Sequence, residues 1–418
     1  MSDRRNAEEL TRRLFHALPR ADQRRWAGAY VAGLLTTPGK KSVRNMGWSV
    51  CASYTASQSL HQVVNESTWS WTDVRGELTA WCHERTEVRG WALERVLMPK
   101  RGHYSAGVHR RFDATAGRTV GCQLGLGLFL LTRSGAAVPV DWRLYLPNEW
   151  LDDASLRRRA RIPDAVRPGS PGGLMVDLAA TSAGPGAPVV AEAETVAEAT
   201  ELIEGFGALG LDWVVSLPAT TPVHAGLQAA APRPARSVVT AGGLAAQLRD
   251  QARGLGTGPA VAGVPHAPRV LPVQVSAPHT GRPLRLVASW APGKREPERV
   301  WLTTLHGERL AEAAALFARR VVHPAALEGL DDCGMRDFEG RSYPGWHRHM
   351  SLVSAAYAHR ALSACAARPD VRSDVRPDTR AAERSGARAV DHGVDHGVDH
   401  GVGAGVARGV GRSGARAA

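Results

Sequence analysis

Near the end of this chain VDHG is repeated three times, which sets His392, His396 and His400 at one spacing with Asp391, Asp395 and Asp399. Imidazole and carboxylate in that pattern could hold a divalent metal weakly, but a slipped-codon repeat without function is the simpler reading. Cysteine offers less: Cys51, Cys82, Cys122, Cys333 and Cys365 are scattered singly, with no C-x-x-C pair. That spacing argues against a zinc ribbon and a disulfide framework, and predicts reduced, mostly buried thiols. Arginine is the abundant chemistry. Lys and Arg together number 52 against 40 acidic residues, for a net charge of +12, and only Lys40, Lys41, Lys100 and Lys294 are lysines. A guanidinium suits bidentate phosphate contacts, so the charge points to a polyanionic partner, although GC-rich coding produces the same bias. The run Arg157, Arg158, Arg159 and Arg161 reads by default as a solvated helix face.

The elements that would position such groups follow from periodicity. Residues 1–85 read as a helical domain, with apolar residues at helical spacing in AEELTRRLFHAL and DQRRWAGAYVAGLL and a basic turn at TTPGKKSVR. Ser70 or Thr72 caps a later helix, and Trp69, Trp71 and Trp81 read as core packing. From residue 88 the texture changes to strands in VRGWALERVLMP, CQLGLGLFLLT and AAVPVDWRLYLP. LRRRARIPDAVRPGSPGG is an exposed helix and loop, and LMVDLAATS a helix, which makes Asp177 a structural or surface residue. APVVAEAE, the helix TVAEATELIEGFGALG and LDWVVSLP continue a mixed α/β domain over 86–365. Short strands such as VLPVQVS, LRLVASW and RVWLTTL mark a β-rich insertion at about 219–300, before helical character returns at ERLAEAAALFARRVV. Residues 366–418 collapse into Arg, Asp, Gly, Ala and Val and are expected to be disordered. Neither an apolar h-region at the start nor a run of 18 apolar residues exists, so a cytoplasmic protein with no membrane span is expected.

Several stretches, in order over residues 20–362, resemble one family. LMPKRGHYSAGVHRRFDATAGRTVGCQLGLGLFL with DWRLYLPNEWLDD, then GLDWVVSLPATTPV, then GMRDFEGRSYPGWHRHMSLVSAAYA are similar to the catalytic domain of insertion-sequence DDE transposases. The leader QRRWAGAYVAGLL…PGKKSVR resembles their helical N-terminus. The resemblance implies an RNase H-like mixed sheet with a β-rich insertion, preceded by a DNA-binding helical domain. It also implies three carboxylates on separate elements, holding two Mg²⁺ ions that cleave and join DNA, with double-stranded DNA as partner and a homodimer on it.

Carried over slot by slot, the family's first acid falls on Glu94, its second on Glu192 and its third on His323, with Leu330 where a lysine is expected. Each glutamate is one methylene longer than aspartate, and histidine is a poor Mg²⁺ ligand. A misplacement of about 1 Å can cost on the order of 10²-fold in rate. The resemblance therefore implies a DNA-binding transposase-family protein whose metal-dependent strand cleavage and transfer are impaired or lost. The competing readings are a working transposase using Glu94 and Glu192, and a non-enzymatic DNA-binding regulator. Phosphate contacts are expected from Lys100, Arg101, Arg110, Arg111, Arg118, Arg341 and His347, which lie in or beside the family motifs.

Overall fold

A computed structural model describes residues 2–51, 53–113, 116–184, 186–226, 238–255, 267–277, 283–313, 316 and 324–366. His323 and the segment 367–418 lie outside the described residues.

Five helices open the chain: α1 (Ser2–Phe15), α2 (Ala21–Thr36), α3 (Val43–Cys51), α4 (Tyr54–Asn65) and α5 (Trp71–His83). Ser70 caps α5 by accepting from the Asp73 N–H. Trp69 and Trp81 are buried, as the packing reading expects. Next come β1 (Val88–Pro99), β2 (His109–Asp113), β3 (Arg118–Thr132) and β4 (Ala137–Leu144). The short α6 (Asn148–Asp152) and α7 (Ala154–Ala160) and the longer α8 (Pro171–Ser182) follow. Asp177 sits exposed on α8. The parallel part of the sheet is built by β5 (Val189–Glu192), α9 (Val196–Ala208) and β6 (Trp213–Leu217).

β4 pairs with β3, β3 with β1, β1 with β5 and β5 with β6, the first two antiparallel and the last two parallel. A mixed order in which a meander precedes two crossovers is the RNase H-like arrangement the motifs imply. The insertion extends the same sheet instead of forming a separate layer. In it, β7 (Pro222–Ala225), β8 (Val238–Thr240), β9 (Arg253–Gly254), β10 (Arg269–Ser276), β11 (Leu284–Ser289) and β12 (Arg299–Thr303) surround the small helix α10 (Ala241–Gln247). Of these, β12 pairs antiparallel with β6, and β11, β10 and β7 continue outward. Helices α11 (Gly307–Glu312), α12 (Pro324–Asp332) and α13 (Tyr343–Ala366) close the chain.

The long helix α13 is the axis of the packing. One side meets β4, and other sides meet α1, α2, α4 and α5, so the N-terminal helices and the sheet share one apolar core. Helices α8 and α9 cover the opposite face of the sheet, against β3, β4 and β6. Among the described residues no helix is long and apolar enough to cross a membrane. Cys82, Cys122 and Cys333 are buried free thiols, whereas Cys51 is exposed.

Candidate functional site

Glu94 and Glu192 are delivered to the middle of the sheet by register. Strands β1 and β5 run parallel, with Trp91 beside Val189 and Ala92 beside Val190. The pairing ends there, and the same register carried two residues on puts Glu94 and Glu192 at matching positions of the two strands. Neighbours in register point to the same face. The row continues to both sides: Glu94 faces Gly127 of β3, which faces Trp142 of β4, while Glu192 faces Ser216 of β6 and Ser216 faces Trp301 of β12. Gly127 is required there, because a Cβ would come within 2.8 Å of the Trp142 ring. The face is the one covered by α13. Trp142 donates its indole N–H to Ser354 Oγ at 2.9 Å, and Met98, two alternations on from Glu94, meets Trp346 across Gly125.

Arginine already attends Glu192. The Glu192 carboxylate accepts from Arg299 Nη2 at 3.0 Å, and its main-chain oxygen accepts from Arg95 Nη1 at 2.7 Å. Arg299 also lies 5.7 Å from the Trp301 ring, on the same row. Arg95 turns to the opposite face, where it pairs with Glu198 of α9 and lies 3.8 Å from Glu194. Glu198 in turn accepts from the Glu194 N–H, and Thr195 caps α9. Glu94 Oε1 accepts the main-chain N–H of Arg95 at 3.2 Å.

The other expected residues separate into surface and interior. Arg101, Arg110, Arg118 and Arg341 are exposed. Arg111, half-buried, is ion-paired with Glu194. Lys100 spends its ammonium on Phe338 O, 2.8 Å away, and burial pulls its pKa down to about 8 against the pull of Asp337 and Glu339. The K-R-G and D-F-E-G motifs thus clasp each other, helped by the Lys41 N–H on Asp337 at 2.8 Å and Lys40 on Glu339 at 2.6 Å.

His347 is a correction to the expected phosphate contacts. It is 1 % exposed, stacked on Trp71 at 4.9 Å, beside Tyr343 and Trp346, and 3.2 Å from the Arg75 guanidinium. Burial, with the Arg75 charge behind it, holds the ring neutral well below the usual histidine range. It orders α13 and does not face solvent. Arg348 and His349 are buried beside it, with Arg348 donating to the carbonyls of Trp69 and Val64.

Around the third slot, α12 starts at Pro324, where the missing N–H costs nothing. Leu330 is fully buried in the position where the family pattern would set a lysine. Among the described residues no group of three or more His, Cys, Asp or Glu side chains could hold a metal ion. Glu94 and Glu192 therefore offer two carboxylates, one of them already engaged by a guanidinium, and do not by themselves make a complete two-metal cradle. No spacing signal marks Arg299, which stands 107 residues from its partner and two strands away.

A mixed sheet of this order, with a glutamate on each of two neighbouring parallel strands, is an RNase H-like nuclease core. The family described as DDE superfamily endonuclease matches residues 13–242, more than half of the chain, and the protein belongs to it. The match takes in the helical leader and both glutamate strands, and stops within the insertion. No curated protein matches the chain at a significant level. Nucleases of this superfamily generally use divalent metal ions.

Proposed function

We propose that this is a transposase-family protein that binds double-stranded DNA, as a homodimer, and whose metal-dependent strand cleavage and transfer are impaired or lost. The observation that carries the reading is the carboxylate row itself, in which the Glu192 side chain is held by Arg299 instead of being left open to a second cation. Magnitude limits what that pair can do. Both partners are partly solvated, 29 % and 47 % exposed, and such pairs are worth at most about 1 kcal/mol. The ion pair alone would weaken a metal only several-fold, so the larger loss falls to the longer glutamates and to the third slot, where the sequence has His323. DNA binding is supported by the net charge of +12 and by exposed Arg101, Arg110, Arg118 and Arg341. In our division residues 1–85 are the helical, DNA-binding part and 86–365 the nuclease-type part, with the insertion at 219–300 and the tail from 366.

The in-register glutamates favour one rival, a working enzyme that uses Glu94 and Glu192 with Mg²⁺. A supercoiled-plasmid nicking and excision assay, with Mg²⁺ or Mn²⁺ and the native terminal repeats, separates the two. Our reading expects no cleavage above the level of a Glu94→Gln variant. Cleavage that Glu94→Gln abolishes would establish the rival.

A further inference from the structure

Beyond Pro99, where β1 ends about 16 Å further along the strand from Glu94, the chain enters a loop that none of the chemistry above uses. Its backbone is pinned: the Ala106 N–H donates to Arg341 O at 2.9 Å, and Gln123 Nε2 donates to Ala106 O at 2.7 Å. The loop is therefore held, yet it carries Tyr104 with 56 % of its surface exposed. Two guanidiniums lie over that ring, Arg159 at 5.2 Å and Arg341 at 5.4 Å. They come from α7 and from the approach to α13, so three separate stretches of chain converge on one phenol ring.

Beside it opens a cavity of about 730 Å³, lined among others by Tyr104, His109, Arg110, Tyr145, Trp150 and Arg159. That is within the ~300–1,000 Å³ of pockets that enclose small organic groups. Its walls are aromatic, its rim is arginine, and Glu149 stands as an acid among the lining residues. One polar atom behind the lining, closed off from the cavity itself, lacks a partner. His109 Nδ1 is 2.9 Å from Gly107 O, which fixes the proton on that nitrogen and leaves Nε2 as an acceptor. Nε2 is buried and has no hydrogen-bond partner among the described residues. The Trp150 indole N–H, by contrast, is satisfied by Val108 O at 3.0 Å.

We infer that this cavity takes one unpaired nucleotide of a single-stranded DNA segment, with the base against Tyr104 and its phosphate on Arg110, Arg159 and Arg341. An aromatic ring stacks on any base, because every base has a π-face, while arginines follow the backbone. Inside a duplex that face is covered by the neighbouring pairs, so only an unstacked base can reach the ring. Glu149, exposed among the lining residues, would accept from an amino group on the base edge. The inference rests on the DNA-binding reading proposed above, and adds to it the state of the DNA that is recognised: frayed, overhanging or nicked, not simply double-stranded.

The experiment is fluorescence anisotropy with the full chain and two probes, a blunt duplex and the same duplex carrying a four-nucleotide single-stranded overhang. The overhang is expected to tighten binding about tenfold. Tyr104→Ala should reduce that preference to within about twofold without changing blunt-duplex affinity, and Tyr104→Trp should retain it. Because Tyr104 is largely exposed, the melting temperature of the alanine variant should match the wild type, which separates loss of stacking from loss of fold. Equal affinity for both probes overturns the inference while leaving duplex binding intact. A Tyr104-dependent preference for the overhang with no blunt-duplex binding would instead support the cavity and overturn the duplex reading. Retention of neither probe overturns both.

Discussion

Buried histidines give the residue scale its clearest consequence. The His349 ring accepts the Tyr30 hydroxyl at Nδ1 and donates from Nε2 to Gly334 O, both at 3.0 Å, and it is stacked on Phe338. Burial holds its pKa down to about 3, far under the unfolded value of 6.5. The sign follows from linkage. Above pH 6.5 both states are neutral and the ring costs nothing. As pH falls from 6.5 toward 3 only the unfolded chain takes the proton, so stability is lost through that window, with a limiting slope of about 1.4 kcal/mol per pH unit. Urea unfolding at pH 7 and pH 5 should show His349→Gln losing less stability on acidification than the wild type. Equal losses would contradict the assignment. None of this was legible beforehand: HRHM sits in a family motif beside basic residues, and the sequence placed His347 among the phosphate contacts. Whether a histidine faces solvent depends on which side of α13 meets the N-terminal helices, and that packing is set by residues some 270 positions earlier.

At the scale of elements, Arg75 does the joining. From α5 its guanidinium reaches Asp141 Oδ1 at 2.8 Å and Trp142 O at 2.9 Å on β4, and Ser351 Oγ at 2.8 Å and His347 O at 2.9 Å on α13. Both charged partners are almost wholly buried. Removing the cation alone would leave the buried Asp141 charge to the Trp142 N–H at 2.7 Å, Arg143 at 3.2 Å and the Ser182 hydroxyl at 3.3 Å. Arg75→Met should therefore cost about 3 kcal/mol in urea unfolding, and Arg75→Met with Asp141→Leu should recover much of that. A single-variant loss below about 1 kcal/mol would show that the clasp is dispensable. The strands themselves were largely readable. Apolar runs announce β1, β3, β4, β6, β11 and β12, and LMVDLAATS announces the body of α8, while its Ser170 cap and Pro171 start fall in a stretch that reads as loop. β2 was not, because HRRFD carries charge at most positions and becomes a strand only by pairing with Arg118–Cys122 of β3. Ion pairs between elements, Arg75 with Asp141 or Arg299 with Glu192, leave no trace in spacing at all.

For the whole molecule, one sheet runs from the β2–β3 hairpin through the glutamate strands into the insertion, and one helix, α13, fixes it to the N-terminal helices. That arrangement puts the carboxylate row in the middle of the sheet and the exposed arginines and Tyr104 beyond the end of β1, where DNA reaching one could also touch the other. Family motifs carry the reading of Glu94 as a first acid slot, and a short apolar strand carries that of Glu192 as a second. Their closeness needed the crossover through α6, α7 and α8, which brings β5 back parallel to β1. Everything proposed for the site depends on Glu94 and Glu192 being lateral neighbours. A Glu94→Cys, Glu192→Cys double variant measures this directly, since a disulfide requires Cα atoms about 4.4–6.8 Å apart. Mild oxidation followed by mass spectrometry of the non-reduced digest should recover the 94–192 cross-linked peptide in high yield. Failure to form that bridge, or preferential bridging of either cysteine to Cys122, would contradict the shared register and with it the carboxylate site.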